Sequence, residues 1–107
     1  MFFLIVISSD SPTKIKLVHR LASASILSGH QVTVFFFMSG VKLLDSSGNY
    51  EWSQLLIEAG VRLLACRTST MDLGITFEGP LSLGVELSSL GELVELMDRC
   101  DRALFLG

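Results

Sequence analysis

The hydrophobic pattern opens with an unbroken apolar run, Phe2 to Ile7, too short for a helical stripe and lacking the alternation of a strand wet on one face. It predicts a strand covered on both sides. Ser11 and Pro12 then supply a helix cap and a proline at the first helical position. That helix is expected to run to about Ser28, with Ile15, Val18, Leu21, Ala22 and Ile26 on its apolar face, and to stop at Gly29. Gln31 to Met38, rich in β-branched and aromatic residues, reads as a second strand, ended by Ser39 and Gly40 before a short Val41 to Leu44 segment.

Ser46, Ser47, Gly48 and Asn49 mark a turn, after which Trp52, Leu55, Leu56 and Ala59 repeat at helical spacing up to Gly60. Val61 to Ala65 is a third strand that delivers Cys66 at its carboxyl end. The polar stretch Arg67, Thr68, Ser69 and Thr70 is expected as a loop, leading into a short helix through Met71 to Leu73. Gly74 to Gly84, with Pro80, predicts an irregular loop before a short strand around Val85 to Leu87. Ser89 and Glu92 form a capping box for a last helix whose apolar face continues through Leu90, Leu93, Val94 and Met97, with Cys100 on the same stripe. Ala103 to Leu106 closes the pattern. Strands alternate with helices, so the expected fold is α/β: a single three-layer α/β/α domain over residues 1–107, with a mostly parallel sheet of four or five strands.

Composition adds three constraints. A mean hydropathy of +0.57 with 18% charged residues exceeds what a small water-surrounded monomer carries, so a homo- or hetero-oligomer is expected. Eight basic and eleven acidic side chains give a net charge of -3 with no basic stripe, which argues against a nucleic-acid partner. No Lys or Arg precedes the apolar run at Phe2, and no apolar stretch approaches the roughly 20 residues that cross a bilayer. A cytoplasmic protein without a membrane partner is expected. Two cysteines and two histidines match neither a disulfide scaffold nor a zinc spacing, so neither metal nor cofactor is expected.

In parallel sheets the functional crevice lies outside the carboxyl ends of the strands, and Cys66 falls there by position. Arg67, Thr68 and Ser69 offer a guanidinium, hydroxyls and backbone N–H groups, each of which favours a thiolate over a thiol. Other thiol chemistries fit less well. A phosphatase loop needs an arginine where Asp72 stands, and Ser69 replaces the second thiol of a thioredoxin-type pair. Neither His19 nor His30 has an evident reason to meet Cys66 as a general base, and both are expected at the surface. Cys100 is expected to pack as a small hydrophobe at the opposite edge of the sheet, with no bridge to Cys66.

The segments Gly29 to Phe37 with Gly40-Val41, Gly60 to Cys66, Gly74-Ile75, Gly84 to Glu86, Leu93 to Leu96 and Asp101-Arg102 together resemble the DsrE/DsrF-like proteins over nearly the whole chain. The resemblance implies a sulfur-relay subunit, in which Cys66 accepts sulfane sulfur as a persulfide from a donor protein and passes it to an acceptor protein's thiol. It also implies dimers, trimers or hexamers. Some relatives carry a second cysteine where Ser69 stands, and many subunits of the family lack a reactive thiol. Sulfurtransferase activity therefore stays open. The alternative reading is a noncatalytic assembly or scaffold subunit with Cys66 structural, and a third is a small-ligand module, against which no glycine-rich phosphate fingerprint follows the first strand. The Gly74 to Gly84 loop is expected to cover the thiol until a partner docks.

Overall fold

A computed structural model of the chain describes residues 1–44, 51–75 and 84–107. Strand β1 (Phe2–Ile7), helix α1 (Pro12–Leu27) and strand β2 (Gln31–Phe36) follow the hydrophobic pattern closely. Pro12 opens α1 as expected, although the Ser11 hydroxyl makes no capping bond. Gly29, at φ +84°, turns the chain out of the helix into β2, with its N–H bonded to the Ile26 carbonyl at 2.9 Å.

A 3-10 segment, Met38–Leu43, follows β2, so the second strand ends two residues earlier than the pattern suggested. The reason is backbone geometry: Met38 adopts φ +52°, which no strand accommodates. Then come α2 (Glu51–Glu58), β3 (Arg62–Cys66), α3 (Arg67–Asp72), β4 (Val85–Ser88), α4 (Leu90–Arg99) and β5 (Arg102–Leu106). The turn at residues 46–49 and most of the loop between Gly74 and Gly84 lie outside the described residues.

The five strands form one sheet in the order β4-β3-β2-β1-β5, every pair parallel. Helices cover both faces, as an α/β chain requires. On one face Val18 and Ala22 of α1 and Leu56 of α2 pack with Ile5, Ile7, Val34, Phe36, Leu63 and Ala65. On the other, Leu93 and Leu96 of α4 meet Leu4, Val6, Phe35, Leu64 and Cys66. The alternation along each interior strand feeds both layers, which is why their sequences are apolar almost throughout.

Two helices turn differently from the expected faces. In α2, Leu55 is exposed while Leu56 is buried, and Ala59 lies beyond the helix end in solvent. In α4, Leu93 and Leu96 enter the core whereas Leu90, Val94 and Met97 stay exposed. A single helix over half a sheet buries a narrow stripe, so the rest of its apolar arc has no partner within the chain. The Ser89 cap is present, its hydroxyl accepting the Glu92 N–H at 3.1 Å, but the Glu92 carboxylate takes the Ser88 hydroxyl instead of completing the box. Arg62 of β3 donates Nε to the Glu86 carboxylate of β4 at 2.8 Å, tying the edge strand to its neighbour. The Glu86 hydrogen bond and the charges of Glu86 and Glu92 raise the Arg62 guanidinium above its ordinary value against the opposing effect of burial.

Candidate functional site

Cys66 is the last residue of β3 and the N-cap of α3, placed at the carboxyl edge of the sheet. Strand parity decides where its side chain goes. Leu63 and Ala65 face α1 and α2, so Leu64 and Cys66 face α4. The thiol is only 1% exposed, packed in the layer of Leu4, Val6, Phe35, Leu93 and Leu96. Its place at the strand end is the one its sequence position implies, with the side chain turned into the core. The apolar character of Cys66 and the α4 layer beneath it draw the side chain inward.

The residues after Cys66 are also arranged differently. Arg67, Thr68, Ser69 and Thr70 form the first turn of α3 rather than a loop, so the helix begins four residues before Met71. Its amino end therefore falls at Cys66 itself, yet the sulfur accepts no capping hydrogen bond from that turn. Arg67 and Thr68 are exposed. The Ser69 hydroxyl accepts the backbone N–H of Met38 at 2.8 Å, and the buried Thr70 hydroxyl donates to the Arg67 carbonyl at 2.7 Å. Ser69 is thus a tie between α3 and the 3-10 segment. Among the described residues, none of Arg67, Thr68 and Ser69 is hydrogen-bonded to the sulfur.

Cys100, half-buried at the C-cap of α4, borders the same layer, and both thiols are free. Its Sγ lies 3.4 Å from the Met97 carbonyl. The C-cap precedes β5, where Asp101 N–H bonds the Phe2 carbonyl at 2.9 Å, so Cys100 sits at the amino edge of the sheet, opposite Cys66. His30 lies on that amino edge too, its ring 4.6 Å from Phe3, and its Nδ1 is 3.2 Å from the amino group of Met1. His30 and His19 are both half-buried rather than fully at the surface. Among the described residues, no cluster of three or more His, Cys, Asp or Glu side chains is placed to hold a metal ion, and no helix is long and apolar enough to cross a membrane.

A cleft of about 520 Å³ opens elsewhere, between α1, the 3-10 segment and α2, and Cys66 does not line it. Lys16, His19 and Arg20 reach it from α1, Lys42 from the 3-10 segment and Trp52 from α2. The spacing of the α1 trio was a sequence signal for a cationic helix face; the convergence of Lys42 and Trp52 on it was not legible in the sequence.

The profile of the DsrE/DsrF-like family matches residues 1–106. No curated protein matches the chain. Among solved structures, the MTH1491 protein of Methanobacterium thermoautotrophicum, described as of unknown function, superposes with a TM-score of 0.83 at 20% identity, over 97% of each chain. The YchN protein of E. coli superposes with a TM-score of 0.79 at 19% identity, over 99% of this chain and all of that one. At these identities the likeness is one of fold.

Proposed function

The chain belongs to the DsrE/DsrF-like family, a family related to sulfur relay, and we propose that it is a sulfur-carrier subunit whose Cys66 holds sulfane sulfur as a persulfide. The observation that carries this reading is the placement of Cys66 at the junction of β3 and α3, on the carboxyl edge where α/β sheets put their chemistry. The reaction needs one thiol. The Cys66 thiolate attacks the outer sulfur of a donor persulfide, the donor thiolate leaves, and a Cys66 persulfide forms. An acceptor thiolate then attacks that outer sulfur and Cys66 leaves as thiolate, so no external oxidant or reductant is consumed. The guanidinium of Arg67, exposed beside Cys66, is free to meet the incoming anionic sulfur once the thiol is uncovered.

At 1% exposure the sulfur cannot be attacked in this conformation, so loading requires a local opening that uncovers the end of β3. A partner protein docked at the carboxyl edge would supply the binding energy. The same burial favours a second reading, an assembly subunit in which Cys66 is simply part of the α4 layer. Both readings share an oligomer, for which the exposed apolar arc of α4 and the open edge of β5 provide surface.

Loading with a persulfide donor separates the two. The protein is prepared with Cys100→Ser, so that the half-buried second thiol contributes nothing, then treated with donor, alkylated with and without reductant, and weighed. A carrier gains a reducible 32 Da adduct that disappears in the Cys66→Ser variant. A protein that takes up no sulfur in its assembled form, or takes it up equally without Cys66, is an assembly subunit or carries sulfur elsewhere.

A further inference from the structure

The cleft between α1, the 3-10 segment and α2 lies on the face of the sheet opposite the Cys66 side chain. Lys16 and Arg20 of α1 and Lys42 of the 3-10 segment line it, with Asp10 ahead of α1 as the single carboxylate among the described lining residues. Among the described lining residues, three cations and one anion leave two net positive charges, in a chain whose own net charge is -3. Among the described residues the ion pairs all involve Arg62, so none of Lys16, Arg20 and Lys42 is paired with a described carboxylate. Lys16 and Arg20 stand four apart on one helix, an arrangement of like charges that destabilises an isolated helix. Packing does not explain the cluster.

The positive character extends to the helix itself. The first turn of α1 contains no acidic residue, and the Ser11 hydroxyl makes no capping bond. Trp52 and Ile15 add an apolar wall, the indole being braced against Phe36 with ring centroids 6.0 Å apart. At about 520 Å³ the cleft falls in the size range of small-molecule sites. It also sits beyond the carboxyl ends of β1 and β2, where sheets of this kind bind ligands.

We propose that this cleft binds a small phosphate monoester carrying an aromatic ring, of mononucleotide size, with the phosphate among Lys16, Arg20 and Lys42 and the ring against Trp52. The net charge of the described lining residues matches the dianion of a phosphate monoester near neutral pH. Side chains, rather than a glycine-rich turn, hold the phosphate, and an indole face accepts a stacked ring without selecting its hydrogen-bonding edge.

Trp52 is the only tryptophan, so its fluorescence reports on the cleft directly. The full chain is titrated with adenosine 5′-monophosphate and with 4-nitrophenyl phosphate, and calorimetry checks each titration. Both are expected to saturate below about 1 mM, with adenosine alone and inorganic phosphate alone at least about tenfold weaker. Arg20→Gln and Lys42→Gln, both at exposed positions, each weaken binding about tenfold with an unchanged circular dichroism spectrum, whereas Asp10→Asn tightens it. Failure of both phosphates to saturate, equal binding of adenosine or of inorganic phosphate, or indifference to Arg20→Gln and Lys42→Gln overturns the proposal. None of these outcomes bears on sulfur loading at Cys66.

Discussion

Met38 and Ser69 together decide how tightly the end of β3 is closed. A left-handed conformation at a non-glycine residue costs about 1–2 kcal/mol, and at Met38 it is held by the bond from its N–H to the Ser69 hydroxyl. That bond joins the segment after β2 to the helix after Cys66. Ser69→Ala is expected to lower stability by about 1 kcal/mol in urea denaturation. If α3 opens locally, the same change raises the rate of Cys66 alkylation at neutral pH about fivefold. Equal alkylation rates in the two proteins would show that some other movement uncovers the sulfur. Gly40 is fixed for a different reason: a Cβ there would overlap the Ile7 carbonyl, which already accepts the Phe37 N–H at 3.1 Å.

Among the elements, α4 offers the sharpest test of which face is inside. Leu96 is 2% exposed and Val94 is 65% exposed, although both belong to the same apolar arc. Leu96→Ala is expected to cost about 2–5 kcal/mol in chemical denaturation and Val94→Ala less than about 0.5 kcal/mol for the isolated subunit. Similar losses would mean that the helix is rotated from the position described. The sequence shows α4 and its Ser89 cap plainly, but not its rotation, because Leu90, Leu93, Val94, Leu96 and Met97 spread over about 160° of the helical circumference, wider than the stripe that one layer buries. The strands were legible for the opposite reason: continuous apolar runs such as Phe2 to Ile7 leave no choice of face. At the site, the position of Cys66 at the end of β3 could be read from Val61 to Ala65. Its burial could not, since parity is fixed by which layer α4 occupies. The helical start at Arg67 was hidden because Arg67 to Thr70 carries the polar residues of a loop.

On the scale of the whole molecule, apolar surface remains where the chain has no second layer to offer. Strand β5 forms an edge with Leu104 and Phe105 exposed, and the α4 arc adds Leu90, Val94 and Met97. Sedimentation velocity is expected to show an oligomer that the double substitution Val94→Glu and Phe105→Glu converts to monomer, since two buried unpaired carboxylates oppose association strongly. A wild-type protein that sediments as a monomer at micromolar concentration would refute this.

The register of β1 against β5 pairs Phe3 with Arg102, so the interior strand β1 has one neighbour close by in the sequence and the other about a hundred residues away. During synthesis on the ribosome, the greasy hexapeptide at Phe2 to Ile7 emerges well before β5 and waits for all the intervening codons to be read before its second flank is shielded. Slow translation therefore lengthens the interval in which nascent chains can aggregate through that hexapeptide, and a chaperone holding it should raise the yield of native protein.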